Sequence, residues 1–243
     1  MIEIRGLHKS FGDNHVLQGI DLSIERGQTT VIIGGSGSGK SVLMKHMMGL
    51  LKPDSGEVEV DGEDITGMSE RELVRVRRKF GMVFQQAALF DSMTVGENVA
   101  FALREHRRLS EREIWRIVAE KLALVDLHDT ERLYPAELSG GMRKRVGLAR
   151  AIVLDPKIIL YDEPTTGLDP ITTNSVDHMI MNAQQRLGVT SVVISHDIAS
   201  SFRVGHHVAM LYRGHIVAQG TPDMLRSSTH AHVQEFLSTW FDR

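Results

Sequence analysis

Eight residues, Gly34-Gly35-Ser36-Gly37-Ser38-Gly39-Lys40-Ser41, constrain this chain more than any other stretch. They fit the pattern G-x-x-x-x-G-K-S/T and follow Thr29-Thr30-Val31-Ile32-Ile33, an apolar β-branched run that reads as a strand buried on both faces. The glycines let consecutive backbone N–H groups turn inward and line a concavity that side chains would crowd. A helix opening at about Ser41 adds its positive end, which favours an anion. Lys40 can reach the β- and γ-phosphates of a nucleotide held there, and the Ser41 hydroxyl can ligate Mg²⁺. The strand before and the helix after set this loop apart from a chance glycine-rich turn.

A second strand-like run ends in charge. Lys157-Ile158-Ile159-Leu160-Tyr161-Asp162-Glu163 is apolar up to two adjacent acids. Ligands of parallel α/β sheets sit beyond the carboxyl ends of strands, where a metal-binding acid belongs. Neighbouring strand residues face opposite ways, so the two acids can take different roles. Asp162 would hold Mg²⁺ through its water shell, and Glu163 would act as general base on the attacking water.

The remaining pattern surrounds these two runs. Short strands are expected at Ile2–Arg5, Leu17–Ile24, Gly56–Val60, Phe80–Phe84 and Thr190–Ser195, with a hairpin around Arg213-Gly214. Ser69 with Glu72 and Ser110 with Glu113 read as capping boxes. Residues 95–152 are helical in pattern, and Ile114, Ile117, Val118, Leu122 and Val125 recur at helical spacing. The outline is an α/β core interrupted by a helical insertion.

Within that insertion Leu138-Ser139-Gly140-Gly141-Met142 precedes a helix, with Ser139 as N-cap and two glycines baring the first-turn N–H groups. This is a second anion-binding helix start. One nucleotide cannot easily touch both starts in one subunit, so two subunits arranged head to tail, each completing the other's site, resolve the pair. Arg143, Lys144 and Arg145 crowd the positive end of that helix, which is unfavourable unless phosphate or a partner compensates.

With these motifs in this order, the chain resembles the nucleotide-binding domain of an ABC transporter over essentially its whole length. The resemblance implies a P-loop NTPase with a RecA-like core, an N-terminal antiparallel β subdomain and an inserted α-helical signature subdomain. One domain would span 1–243: core with β subdomain in 1–94 and 153–225, helical subdomain in 95–152, and a helical tail in 226–243. Phe11 resembles the aromatic that stacks on adenine, and Gln85 the glutamine that reaches Mg²⁺ and couples to the transmembrane partner. Gly167-Leu168-Asp169 resembles the loop at the dimer seam, and His196 the switch histidine at the γ-phosphate. Catalytic roles then fall to Glu163, His196 and Lys40, and metal contacts to Ser41, Gln85 and Asp162. ATP and Mg²⁺ are the implied ligands, held additionally by Gly34 to Gly39, Ser139, Gly140, Gly141 and Asp169.

Met142 replaces the glutamine commonest in the family, removing a side-chain amide but leaving the backbone donors. Leu-Ser-Gly-Gly-Met followed by Arg-Lys-Arg-Val, with Asp169-Pro170-Ile171-Thr172, resembles the subgroup powering Mla- and Mce-type phospholipid transporters. That subgroup implies a homodimer on the cytoplasmic face of the inner membrane, bound to permease subunits, with a small accessory subunit and an Mce-type substrate-binding protein as further partners.

Composition removes other classes. A net charge of −3 and pI near 6.5 give no bulk attraction to nucleic acid or anionic lipid. With no cysteine, disulfides and thiolate metal sites are excluded. The start Met1-Ile2-Glu3-Ile4-Arg5 lacks the order of a secretion signal, and no apolar run approaches the ~20 residues of a membrane helix, so a membrane connection is expected through a partner. A soluble assembly or regulatory ATPase of the same fold is the main competing reading. A DNA-maintenance ATPase would carry a coiled coil between phosphate loop and signature, and a P-loop kinase would lack Ser139-Gly140-Gly141. Two apolar stretches remain. Gln86 to Met93 is expected to line the groove for a permease helix. Val233, Phe236, Leu237, Trp240 and Phe241 form a helical stripe that packs on its own domain or docks on a partner.

Overall fold

The computed structural model describes residues 1–241, with side chains through Ser238. Two sheets organise the chain. β1 (Ile2–Phe11), β2 (Asn14–Ile24), β4 (Ser55–Val60) and β5 (Glu63–Asp64) form an antiparallel sheet in the order β2-β1-β4-β5. β3 (Thr29–Ile33), β6 (Phe80–Val83), β7 (Ile158–Asp162), β8 (Thr190–Ser195), β9 (His207–Tyr212) and β10 (His215–Gly220) form the second, ordered β10-β9-β3-β8-β7-β6. All its pairs are parallel except the β9–β10 hairpin.

Alternation along the central strands explains why this sheet is buried on both sides. Val31, Ile33, Ile159, Tyr161 and Val193 face one core with α3 (Val95–His106), α4 (Glu111–Leu124), α5 (Gly140–Ile152), α6 (Pro170–Leu187) and α7 (Ile198–Val204). Ile32, Ile158, Leu160, Val192 and Ile194 face a second core with the antiparallel sheet, α1 (Lys40–Met47) and α2 (Glu70–Arg77). Apolar residues at both parities therefore produce two cores on one sheet.

The parallel pairing also gathers chemistry. The registers Ile33↔Ser195, Asp162↔Ile194 and Val83↔Tyr161 bring the carboxyl ends of β3, β8, β7 and β6 to one edge. Whatever follows each strand is delivered there.

Some boundaries differ from the sequence expectation. β1 runs on from Arg5 to Phe11 and β2 starts three residues before Leu17, because β1 is paired on both sides and absorbs its broken alternation in register shifts after Ile4 and Lys9. Gly6, at φ +52, sits in that irregularity. β6 stops at Val83, and α1 begins at Lys40. Both expected capping boxes form, with Ser69 N–H donating to Glu72 at 2.8 Å and Ser110 N–H to Glu113 at 2.8 Å.

After α8 (Pro222–Arg226) comes α9 (Ala231–Phe241). Its Val233 and Leu237 are buried in the chain's own core and Phe236 packs against it, so this part of the stripe is internal packing. The side chains of Trp240 and Phe241 lie outside the described residues. Among the described residues no helix is long and apolar enough to cross a membrane.

Candidate functional site

The phosphate loop leaves β3 at Ile33 and enters α1 at Lys40. A Cβ on Gly34 would lie 2.2 Å from the Leu211 carbonyl oxygen, a backbone contact that cannot yield. Gly37 and Gly39 adopt φ of 76° and 105°, where side chains are strained. Lys40 is buried, and its Nζ donates to the carbonyls of Gly34 at 2.7 Å and Gly35 at 3.0 Å. Burial lowers its pKa, and the nearby charges of Glu163 and Asp162 oppose that shift. Inside the loop the Ser38 hydroxyl is buried with no protein partner, a polar lining that suits a polar guest. Gly35, Ser36, Gly37 and Ser41 are exposed, with Ser41 on the first turn of α1.

Asp162 closes β7. Burial raises its pKa, the adjacent Glu163 charge adds to this, and Lys40 and Lys45 oppose it. Glu163 takes a left-handed φ of 48°, fixed by its N–H bond to the Ile194 carbonyl at 2.9 Å. Such a conformation costs a non-glycine residue ~1–2 kcal/mol and turns the carboxylate away from the strand. Its Oε2 accepts from the Thr166 hydroxyl at 3.0 Å and lies 2.6 Å from His196 Nδ1. An ionised carboxylate only accepts, so Nδ1 carries the proton of this contact, which leaves the Nε2 side of the ring facing away from Glu163. Glu163 Oε1 stands 4.0 Å from Lys40 Nζ. Lys40, Asp162, Glu163 and His196 thus form one cluster at the sheet edge.

Thr166 escaped the sequence reading. Its only signal was a hydroxyl residue three positions after a strand-end acid, a spacing that closes a turn. The Glu163–His196 contact was equally silent, since 33 residues separate the two.

The other candidates make no hydrogen bond or ion pair with that cluster. Gln85 is exposed just beyond β6, and Phe11 is exposed at the β1–β2 tip with Lys9 Nζ 5.6 Å from its ring centroid. Ser139 caps α5, its Oγ accepting from Met142 N–H at 3.2 Å. Asp169 caps α6, accepting from the N–H groups of Ile171 and Thr172 at 3.0 Å each; these bonds and the Thr172 hydroxyl hold its pKa down. Ser139 to Met142, Gly167 to Asp169 and Thr172 line one open groove, and no phosphate-loop residue lines it.

A Cβ on Gly140 would meet nothing within 4 Å, and on Gly141 only Thr172 Cγ2 at 3.6 Å. Neither has a positive φ, so neither glycine is demanded by this chain's own packing or backbone. The basic run is a correction. Lys144 is turned inward onto the Gln85 carbonyl, and Arg145 bonds the Val125 carbonyl at 2.9 Å, Asp126 and Ser175. Only Arg143 stays exposed at that helix end.

The donors suit MgATP. Ser41, Gln85 and Asp162 offer hard oxygens, and no group of three or more His, Cys, Asp or Glu residues among the described ones could hold a metal alone. Mg²⁺ suits such a site, since it takes one or two carboxylates and completes its shell with phosphate and water.

A glycine cradle, paired acids and a histidine at the ends of adjacent parallel strands, with a second anion-facing helix start elsewhere, are the parts of an ATP-binding cassette. The ABC transporter family matches residues 17–166. The chain is 46% identical over 237 residues to the probable ribonucleotide transport ATP-binding protein mkl of Mycobacterium tuberculosis, covering 98% of itself and 66% of that protein. It is 40% identical over 237 residues to the intermembrane phospholipid transport system ATP-binding protein MlaF of Haemophilus influenzae, covering 98% of itself and 90% of that protein. It also matches the dimeric, post-hydrolysis ATP-binding cassette MJ0796 bound to ADP and Pi, with a TM-score of 0.81 and 32% identity, over 91% of this chain and 99% of that one. The chain belongs to the ABC transporter family. It spans 66% to 68% of the length of the mkl proteins it matches.

Proposed function

We propose that the chain is the ATPase subunit of a transporter that moves glycerophospholipid between membranes, and that it closes on ATP as a head-to-tail homodimer. The observation that carries the dimer is the pair Gly140-Gly141. They are small where their own chain leaves room, which suits the close approach of a second molecule's nucleotide. MJ0796, similar across nearly its whole length, is dimeric. The mkl and MlaF relatives carry different cargo names; the phospholipid reading rests on the fuller coverage of MlaF and on Leu138-Ser139-Gly140-Gly141-Met142.

In this reading the phosphate loop of one protomer binds ATP phosphates through its backbone and Lys40, and Phe11 stacks on the base. Ser139, Gly140, Gly141 and Asp169 of the other protomer close the site. Ser41, Gln85 and Asp162 would hold Mg²⁺, which would supply neutralisation of phosphate charge there. Glu163 takes the proton of the attacking water through its carboxylate, held in place by Thr166 and His196. His196 contacts the γ-phosphate on its Nε2 side. The division into core (1–94, 153–225), helical subdomain (95–152) and tail (226–243) belongs to the same proposal.

The permease would seat against the segment after β6. Phe84 and Phe90 are exposed there, and Phe90 packs at a tilt against Phe101 with centroids 5.2 Å apart. The fully buried Asn98 clamps this loop, accepting from Phe90 N–H at 2.8 Å and donating to the carbonyls of Phe90 and Met93 at 3.1 Å each and of Thr94 at 3.0 Å. Leu89 packs on the chain's own core, so Phe90→Glu, not Leu89→Glu, is the clean probe of docking. Through that permease the subunit would sit on the cytoplasmic face of the inner membrane, beside an accessory subunit and an Mce-type protein.

The deciding experiment is purification of the complex from membranes with its bound lipid identified. A co-purifying permease carrying glycerophospholipid supports the reading. Recovery as an ATPase free of any membrane protein would replace it with the soluble assembly or regulatory alternative.

A further inference from the structure

Helix α5 lies along β6 and the loop that follows, and the seam is tight at both ends. A Cβ on Gly81 would come within 2.4 Å of the Ala151 carbonyl oxygen, and one on Gly147 within 3.1 Å of Ala87 Cβ. On the same face of α5, three residues either side of Gly147, stand two cations. Lys144, only 6% exposed, donates its ammonium to the Gln85 carbonyl. Arg150 forks, donating from Nη1 to the Ala88 carbonyl at 2.7 Å and from Nη2 to the Ala87 carbonyl at 2.6 Å.

Two features make this more than packing. First, neither cation has a carboxylate within ion-pair distance among the described residues; Lys144 is buried, where an unpaired charge is costly, and Arg150 is half-buried. Their bonding capacity goes instead to three carbonyls of one short loop. Second, Ala87 and Ala88 hold left-handed φ of 59° and 47°, each costing ~1–2 kcal/mol for a residue with a Cβ. The two carbonyls that Arg150 chelates belong to these strained residues. Such strain persists only where surrounding contacts hold it, and here those contacts come from α5.

We infer that Lys144 and Arg150 are positioning residues that lock the loop Gln85–Ala88 to the signature helix, so that engagement of Ser139-Gly140-Gly141 by a second protomer moves Gln85 and the exposed Phe84 and Phe90 with it. The inference rests on the proposed role of Gln85 and of the apolar loop as the permease contact. It assigns the transmission to two side chains that touch neither nucleotide nor permease. Lys144 serves the end nearer Gln85, and Arg150 the end nearer Phe90.

The test uses the intact transporter in lipid vesicles, with Lys144→Met, Lys144→Arg, Arg150→Met and Gln85→Ala compared. The readouts are permease stimulation of ATP hydrolysis, KM for ATP, and amide hydrogen exchange by peptide. Lys144→Met and Arg150→Met are expected to lower the stimulation about tenfold, with KM within about twofold, a typical size for loss of coupling between sites. Exchange should rise across residues 84–90 and stay unchanged across 140–152, and Lys144→Arg should restore most of the stimulation. Unchanged stimulation in both Met variants overturns the inference. So does exchange that rises equally through α5, or failure of Lys144→Arg to rescue, since either marks a merely structural role. If Gln85→Ala itself leaves stimulation intact, the reading of the loop as the coupling element falls. If Gln85→Ala uncouples while the Met variants do not, the loop reading stands and the lock falls.

Discussion

Glu163 shows how one residue's environment sets its task. Its left-handed backbone, the Thr166 hydroxyl at 3.0 Å and His196 Nδ1 at 2.6 Å fix a carboxylate that would otherwise rotate freely at a strand end. Glu163→Gln keeps the shape but cannot take a proton, so ATP affinity should persist while turnover falls by ~10²–10⁴. Equilibrium nucleotide binding and single-turnover hydrolysis measure the two separately, and near-normal hydrolysis would remove Glu163 as base. Thr166→Val deletes one hydrogen bond to that carboxylate without touching the nucleotide. Turnover should drop about fivefold, the size of one ~1 kcal/mol bond, with binding unchanged. Asp162 presents the opposite balance. Burial and the Glu163 charge raise its pKa, so ionisation above that value costs the nucleotide-free fold stability. Asp162→Asn should therefore raise the thermal midpoint at pH 7 while abolishing Mg²⁺-dependent hydrolysis; a lowered midpoint would contradict this account of the acid.

At the scale of elements, helices are held to the sheet by contacts that leave no room for adjustment. Gly81 is the extreme case, because the atom its Cβ would strike is the Ala151 backbone oxygen at 2.4 Å. Gly81→Ala should push α5 off β6 and cost ~1–3 kcal/mol, read as a shift of the denaturation midpoint without change of slope. A neutral result would mean that the seam is loose. Helices α6 and α7 are joined by another device: Asp177, fully buried within α6, accepts from the Ser200 hydroxyl at 2.5 Å and pairs with Arg203. Such contacts mark the limit of what the sequence discloses. Buried strands such as Thr29–Ile33 and Ile158–Asp162 are written in uninterrupted apolar runs, and capping boxes announce α2 and α4. The cradle is equally plain, because glycines and a lysine at fixed spacing admit few other structures. Long-range pairing is not written in any local pattern. The sheet order carries Glu163 to His196, and only the packing of α5 reveals that Lys144 faces Gln85 instead of phosphate. The length of β1 was hidden for a related reason: its partners on both sides override a broken alternation.

For the molecule as a whole, the question is what keeps two sheets of different construction in one rigid relation, since the proposed site takes Phe11 from one and the phosphate loop from the other. Their shared core supplies most of the adhesion, but a charged knot closes the edge. Asp61, in the turn between β4 and β5, receives Arg26 at 2.5 Å, Lys157 at 2.6 Å and Lys79 at 3.2 Å. Lys79 and Lys157 precede β6 and β7, so the knot ties the antiparallel sheet to the parallel one. The Asp61 side chain is 10% exposed, and hydrogen bonds from Lys157 and Arg26 hold its carboxyl well below the usual carboxylate range. A depressed pKa stabilises the fold above the unfolded-chain value of about 3.9, and that stabilisation is lost as pH falls from there through the folded value. Asp61→Asn preserves the turn, because asparagine tolerates the left-handed φ of 55° seen at this position. It removes the charge alone. At pH 7 the variant should lose ~1–3 kcal/mol, the range for a cation-bonded group left with a neutral partner. Between pH 4 and pH 2 the gap between variant and parent should narrow, since Asp61 of the unfolded parent chain takes up a proton there while the folded one stays ionised. Denaturant titrations at pH 7 and pH 3 measure both limbs. A gap that stays constant with pH would show that shape at the turn, and not the three-cation knot, joins the sheets.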